Sequence, residues 1–219
     1  MAYIVTEVRY FDHKRNKVIL DHGEVTFLLY KAECRRFGLL PDAGAGPEQE
    51  PRVLSEEAYT AILEEVLLPR AKKRALYYLK NADRTTGQIS QKLREGGYPE
   101  IVIERTLAFL KEHAFADDAR YAERYAGELK RRSSRREILA KLTGRGVSRE
   151  LAREQAALIS PEEEAAACTA VLQKKYPRGI PASDRQKAYA YLARRGFGTD
   201  LIREAFSALG EQAEFGEGF

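Results

Sequence analysis

Apolar and polar positions along this chain follow two periods. Over residues 3–29 the period is short. Tyr3-Ile4-Val5-Thr6-Glu7-Val8-Arg9-Tyr10-Phe11, Val18-Ile19-Leu20 and Val25-Thr26-Phe27-Leu28-Leu29 are rich in β-branched and aromatic side chains, which suit a pleated, half-buried surface. Gly23, in the Asp21-His22-Gly23-Glu24 segment between the last two runs, predicts a reversal into a hairpin. A hairpin alone is marginal, so it must pack on something. Lys31 to Phe37 reads as a short helix stopped by Gly38. Residues 40–51 are proline, glycine and acid, the composition of a linker or loop.

From Ser55 the period becomes helical. Ser55 is a plausible N-cap for a helix through Leu68, and Pro69 predicts a kink or break. Ala71 to Lys80 resumes the pattern with Ala75, Leu76 and Leu79 on one face. Then the chain repeats itself. Leu93-x-x-x-Gly97-Tyr98 recurs as Leu142-x-x-x-Gly146-Val147 and as Leu192-x-x-x-Gly196-Phe197, at steps of 49 and 50 residues. Such a period signals stacked copies of one supersecondary unit. Each copy continues with an apolar pair: Val102-Ile103, Leu151-Ala152, Leu201-Ile202. Each is preceded by a capping-box signature: Thr85-x-x-Gln88, Ser134-x-x-Glu137, Ser183-x-x-Gln186.

Three helices per copy follow: 70–81, 86–95 and 99–112; 117–132, 135–143 and 148–157; 161–175, 184–195 and 199–209. Glycine ends each second helix, Pro99 starts the third helix of the first copy, and Ser160-Pro161-Glu162-Glu163 opens the last copy. The expected fold is mainly α. It has tandem three-helix repeats in an elongated curved rod, with a small N-terminal extension containing a β-hairpin. The expected divisions are a strand-rich extension and linker (1–54), a leading helix with repeat one (55–115), repeat two (116–159), repeat three (160–210) and a frayed tail (211–219). Repeat units bury their faces against neighbours in one chain, so a monomer is expected. The repeated leucine, glycine and corner residues specify this scaffold and say little about a partner.

Composition sharpens the picture modestly. Hydrophobic residues at 44% can fill cores, while 32% charged residues and a mean hydropathy of −0.49 leave a wet surface suited to small helical units. Net charge is +4 and the pI about 9.0, a mild excess that fits work near nucleic acid or an acidic partner. Cys34 and Cys168 are far apart and read as buried thiols. Met1-Ala2-Tyr3-Ile4 lacks the basic region and apolar core of a signal peptide, and no apolar run is long enough to span a bilayer. A soluble cytoplasmic protein is expected.

Taken together, the segments Arg74–Leu79, Asp83–Thr85, Gln91–Tyr98, Phe115–Ala122 and Arg135–Val147 resemble the RecX family, bacterial regulators of the RecA recombinase. Arg74-Ala75-Leu76-Tyr77-Tyr78-Leu79, Asp83-Arg84-Thr85 and Gln91-Lys92-Leu93-Arg94-Glu95-Gly96-Gly97-Tyr98 look like its opening repeat. Phe115-Ala116-Asp117-Asp118-Ala119-Arg120-Tyr121-Ala122 resembles its Asp-Asp/Glu-x-x-Tyr/Phe-Ala hallmark. Arg135-Arg136-Glu137-Ile138 running to Leu142 and Gly146-Val147 is the third match. The resemblance covers about residues 70–209. Ser133-Ser134 stands where the family usually has glycine after a basic stretch, and Lys141-Leu142 where it usually has Glu-Leu.

Catalytic chemistry is not visible. His13, His22 and His113 are scattered without metal-ligand spacing, and there is no phosphate-cradling Gly-x-x-x-x-Gly-Lys-Ser/Thr loop. Asp117-Asp118 opens a helix and reads as a cap with favourable dipole charge. No enzyme and no cofactor are expected. The remaining chemistry is cationic. Arg70, Lys72, Lys73 and Arg74 precede the first repeat. Lys130, Arg131, Arg132, Arg135 and Arg136 straddle a turn of the second, followed by Arg145 and Arg149. Lys174, Lys175, Arg178, Arg194 and Arg195 lie in the third. A block of five cations with only Glu137 following needs an anionic complement, such as a phosphate backbone or an acidic protein surface.

The resemblance implies that the partner is the RecA filament on single-stranded DNA. Bound there, the protein would block filament growth and strand exchange and suppress ATP turnover, several weak contacts acting together by effective concentration. Two other readings stay open: a stand-alone DNA-binding protein of helix-turn-helix-like units, and a scaffold without a nucleic acid role.

Overall fold

The computed structural model describes residues 2–40 and 52–210. The predicted linker beyond Leu40 and the predicted tail lie outside the described residues. The chain divides into two compact units, Met1–Ala116 and Asp117–Phe219.

The first unit opens with an antiparallel sheet of order β3-β2-β1-β4. Its strands are β1 (Ala2–Tyr10), β2 (Arg15–Leu20), β3 (Val25–Tyr30) and β4 (Arg52–Ser55). The predicted hairpin is β2–β3, with Val18 opposite Phe27 and Gly23 at φ +105° between them. β4 is an addition to the expected fold. Four residues are too few to show alternation, and β4 exists because Val53 and Leu54 find Ile4 and Tyr3 across the sheet. The short helix α1 (Lys31–Arg36) ends before Gly38, at φ +64°.

Helix α2 (Glu56–Ala61) is capped by Ser55, whose Oγ accepts the Ala58 amide at 3.2 Å. No break follows at Pro69. A π-helical stretch, Ile62–Leu67, leads directly into α3 (Leu68–Asn81). Proline has no N–H to donate, and its ring crowds the carbonyl four residues back. The wider winding accommodates it, and the Leu68 amide reaches five residues back to the Leu63 carbonyl. Helices α4 (Thr86–Glu95) and α5 (Glu100–Glu112) complete repeat one, with Pro99 as the N-cap of α5 rather than its first residue. Val18, Leu20, Phe27 and Leu29 of the sheet share one core with Ile62, Leu67, Ile89, Leu93, Ile103 and Leu110 of the helices. The sheet is thus a wall of repeat one. At roughly 1.5–3 kcal/mol per fully buried large apolar side chain, this shared burial stabilises a hairpin that could not stand alone.

The second unit holds two repeats. The first comprises α6 (Asp118–Leu129), α7 (Arg135–Gly144) and α8 (Arg149–Ala157). The second comprises α9 (Pro161–Lys175), α10 (Arg185–Arg194) and α11 (Thr199–Ala208). Each has its own core. Tyr121, Leu129, Ile138 and Leu142 centre one; Cys168, Leu172, Leu192, Ile202 and Phe206 centre the other. Leu93, Leu142 and Leu192 are fully buried at equivalent places.

The predicted caps divide. Thr85 and Ser160 form complete capping boxes with Gln88 and Glu163. Asp117 caps α6 by accepting the Arg120 amide at 2.9 Å. Ser134 caps α7, but the Glu137 side chain does not return to it. Ser183 caps nothing: it lies inside a single 3₁₀ turn, Ala182–Asp184, and α10 starts after that turn with no side-chain cap bond. No helix among the described residues is long and apolar enough to cross a membrane.

Candidate basic interface

The fold engages about half of the predicted cations and leaves the rest without a bonded partner among the described residues. In the first unit the Arg70 guanidinium bonds the Glu33 carboxylate, donates to the Leu28 carbonyl at 3.3 Å and lies 4.6 Å over the Tyr30 ring. It ties α3 to β3 and α1. Lys72 sits 4.3 Å over Phe109. Arg74 donates through Nε to Tyr78 Oη at 2.8 Å, a bond that raises its pKa further. Lys73 is exposed and bonded to no described residue.

In the second unit the 130–136 cluster splits by direction. Helix α6 stops at Leu129, so Lys130, Arg131 and Arg132 form the turn before α7. Lys130 Nζ meets Glu163 Oε1 at 2.7 Å. The Arg135 amide donates to Glu164 Oε1 at 2.9 Å, and Arg135 Nε lies 3.3 Å from Glu164 Oε2. Glu164 is only 8% exposed, so a buried carboxylate from repeat three closes the N-terminus of a repeat-two helix. Anionic charge is stabilising there, because the first-turn amides point at it.

Arg195 completes this joint from the other side. Its Nη2 donates to the Arg132 carbonyl at 2.6 Å and meets Glu137 Oε2 at 2.8 Å. Its own carbonyl accepts from Ser134 Oγ at 2.6 Å. Burial pushes the Glu137 carboxyl up, but hydrogen bonds from Lys141 and Arg195 outweigh it and hold the group below its ordinary range. Ser133 is wholly buried beside this joint, with its hydroxyl unbonded among the described residues. It stands where the family resemblance expects glycine. A serine in place of glycine buries a hydroxyl there, at the cost of an unsatisfied donor.

Arg131, Arg132, Arg136, Arg149, Lys174 and Arg194 are exposed, and their side chains bond to no described residue. Folding brings two of them together. Arg136 from α7 and Arg194 from α10 line one cleft of about 360 Å³ with Glu137, Ala140, Ala193, Arg195 and Gly196. Lys175 lies 3.7 Å over the Tyr191 ring, and Tyr191 Oη is within 3.4 Å of Arg195, which places Lys175 beside the same joint. Lys130 and Arg131 line a second opening with Glu163 and Ala167. Arg145 instead turns inward on repeat two, 3.1 Å from Tyr121 Oη and 4.4 Å over Tyr125.

The predicted cations therefore serve two ends. Lys130, Arg135 and Arg195 hold repeats two and three together, and the side chains of Arg131, Arg132, Arg136 and Arg194, around that joint, bond to no described residue. Reading cations alone misses the carboxylates that engage them. The Glu162-Glu163-Glu164 run at the start of α9 was the available signal, an acidic block opposing a basic one. Among the described residues, no group of three or more His, Cys, Asp or Glu is placed to hold a metal ion.

Fold and surface together define a class: a protein of tandem three-helix repeats with cations, unpaired among the described residues, clustered where repeats two and three join. Comparison with known proteins agrees on the three-helix units. The description "RecX, first three-helix domain" matches residues 71–110, and "RecX, third three-helix domain" matches residues 162–206. The regulatory protein RecX of Thermobifida fusca is 33% identical over 163 residues, covering 69% of this chain and 86% of that protein. That of Clostridium perfringens strain 13 is 29% identical over 166 residues, covering 74% and 78%. The fold is shared with a crystal structure of a regulatory protein RecX at TM-score 0.59 and 20% identity, over 95% of this chain and 98% of that one. The chain belongs to the RecX family.

Proposed function

We propose that this protein regulates the RecA recombinase by binding its nucleoprotein filament on single-stranded DNA. Bound there, it holds down filament growth, strand exchange and ATP turnover. The observation that carries the reading is the repeat-two/repeat-three joint. There Arg136 and Arg194, 58 positions apart in sequence, open into one cleft with no carboxylate bonded to either among the described residues. Arg131 and Arg132 are unpaired in the turn that enters α7. Like charges gathered on a folded surface repel, and a phosphate backbone or acidic protein face offsets that repulsion. Guanidinium groups suit the role, because their planar fork matches phosphate and carboxylate oxygens.

The test is RecA ATPase on single-stranded DNA, with and without the protein. A variant carrying Arg131→Glu, Arg132→Glu, Arg136→Glu and Arg194→Glu is run beside it. Arg135 and Arg195 stay untouched, because changing either breaks the joint itself. Inhibition by the wild type that the variant loses, at unchanged helicity, is the expected result. Absence of inhibition by the wild type overturns the proposal, and tight binding to bare DNA in that case favours a stand-alone DNA-binding protein.

A further inference from the structure

The tip of the β1–β2 hairpin carries chemistry that the repeats do not use. β1 ends at Tyr10 and β2 begins at Arg15. Asp12 fixes the turn between them. Its carboxylate accepts the Arg15 Nε at 2.7 Å and the amides of Lys14 and Arg15 at 3.0 and 2.9 Å. The Phe11 amide donates to the Arg15 carbonyl at 3.1 Å. These bonds, the Arg15 side chain first, hold the Asp12 carboxyl down at about 2. The only acid of the turn is thus ionised and committed to Arg15, in a locally braced loop.

What the brace presents is aromatic and cationic. Tyr10 is 69% exposed and Phe11 51%. The side chains of Arg9, Lys14 and Lys17 make no hydrogen bond or ion pair with a described residue. Arg9 and Lys17 are direct partners in the β1–β2 register. Like charges directly opposite on adjacent strands destabilise a sheet. Glu7, two residues along β1, bonds to neither of them. Two exposed rings and a pair of facing cations are each unfavourable in water alone. One ligand class offsets both: an unpaired nucleotide strand brings a stackable base and a phosphate at every step. An acidic peptide would answer the cations and leave the rings wet, and duplex DNA keeps its base faces stacked.

We propose that this hairpin tip is a contact site for single-stranded nucleic acid: a flexible strand wraps the tip, with a base against Phe11 and phosphates against Arg9 and Lys17 on one face, Lys14 at the turn, and a base against Tyr10 on the other face. The site does not rest on the filament reading. It operates without RecA and belongs to the first unit, whereas Arg136 and Arg194 belong to the second.

The experiment measures binding of a fluorescein-labelled oligothymidylate to the full chain by anisotropy, with no RecA present. The wild type binds. The Tyr10→Ala/Phe11→Ala variant loses about tenfold or more in affinity, as expected for two stacked bases. Tyr10→Phe retains binding. Arg9→Gln/Lys17→Gln lowers the slope of log K against log salt by about 1.4, the loss of two phosphate contacts on a single strand. If the ring variant does not fold, photocrosslinking of the wild type to an iodouracil-substituted strand decides, with adducts expected on the peptide containing Tyr10 and Phe11. The site is overturned if the wild type does not bind the bare strand, if the folded ring variant binds as tightly as the wild type, or if adducts map elsewhere. Competition by polyglutamate as strong as by oligothymidylate also overturns it, in favour of an acidic protein surface. RecA ATPase with the cleft variant is an independent readout, so either proposal can fail while the other stands.

Discussion

Gly97 and Gly196 end equivalent helices in repeats one and three, yet they rest against opposite kinds of surface. Both adopt left-handed backbone, at φ +76° and +86°, and both are followed by a residue whose amide returns to the repeated leucine. A Cβ on Gly97 would lie 2.6 Å from the buried side chain of Leu28 on β3. A Cβ on Gly196 would lie 2.9 Å from Arg136 Cβ and from Ser134 Oγ at the start of α7. One corner closes an apolar contact against a buried side chain of the sheet, within the first unit. The other closes a contact between two separate cores, where hydrogen bonds and ion pairs do the holding. The same helix-end device thus makes a sheet part of repeat one, and makes repeat three a neighbour of repeat two rather than an extension of it.

The sharpest way to break the contrast is Gly97→Ala. It puts a Cβ in left-handed backbone and forces it into a core wall, which costs about 2–5 kcal/mol, with the upper half expected because Leu28 has no solvent side to yield to. Hydrogen exchange of α4 and α5 is the measure, since a chain of two units does not unfold in one step. Leu28→Ala alone costs about 2–3 kcal/mol as a cavity. The double variant should cost less than the two singles added, because the cavity receives the new methyl group. Simple additivity would show that the two side chains do not meet.

At Gly196 the same substitution meets softer walls, the exposed Arg136 side chain and a serine hydroxyl, and about 2 kcal/mol is expected. The ionic character of this joint is tested more directly by Glu137→Gln. It keeps an acceptor for Arg195 but removes the charge, at a cost of about 1–2 kcal/mol. Acid should reproduce the effect. The Glu137 carboxyl is held below its ordinary value of 4.5 in the folded protein, so its contribution is present above that value and fades as pH falls below it. Exchange protection of the α7 first turn, corrected for intrinsic rates, should weaken below pH 4.5. Protection around Gly97, where Leu28 carries no titrating group, should not follow it. Parallel loss at both corners would remove the distinction.

Much of this was legible in sequence, and the limits are physical. Repeated leucines, helix-end glycines and the Thr85 and Ser160 boxes are local signals, readable because both partners lie within a turn of each other. Ser183 misleads because a 3₁₀ turn displaces the helix start, a shift that spacing does not record. Pro69 predicts a break, but the π turn that absorbs it depends on tertiary packing of Ile62, Leu63, Val66 and Leu67. The dual role of the cations was signalled only by the acidic block Glu162-Glu163-Glu164, which does not say which cations it engages. Arg70 finds Glu33 at a separation of 37 residues and Arg195 finds Glu137 at 58, and no local rule links such positions. Hence a cluster that reads as one basic patch separates into joint and free surface only once the chain is folded.

The smallest expected effect calibrates the others. Ala114 ends α5 in the same way as the two glycines, at φ +52°, with its amide on Lys111 and the Phe115 amide on Leu110. It carries a Cβ and is exposed. Left-handed backbone by itself is therefore compatible with a side chain here, and the requirement for glycine at the two corners comes from what lies against them. Ala114→Gly relieves the left-handed strain but adds freedom to the unfolded chain, and these offset to a net gain below about 1 kcal/mol. That value is the backbone share. Subtracting it from the losses at Gly97→Ala and Gly196→Ala leaves the share due to close approach, which should be larger against Leu28 than against Arg136. If Ala114→Gly gains as much as Gly97→Ala loses, backbone strain accounts for everything and the two corners differ in nothing but their neighbours' names.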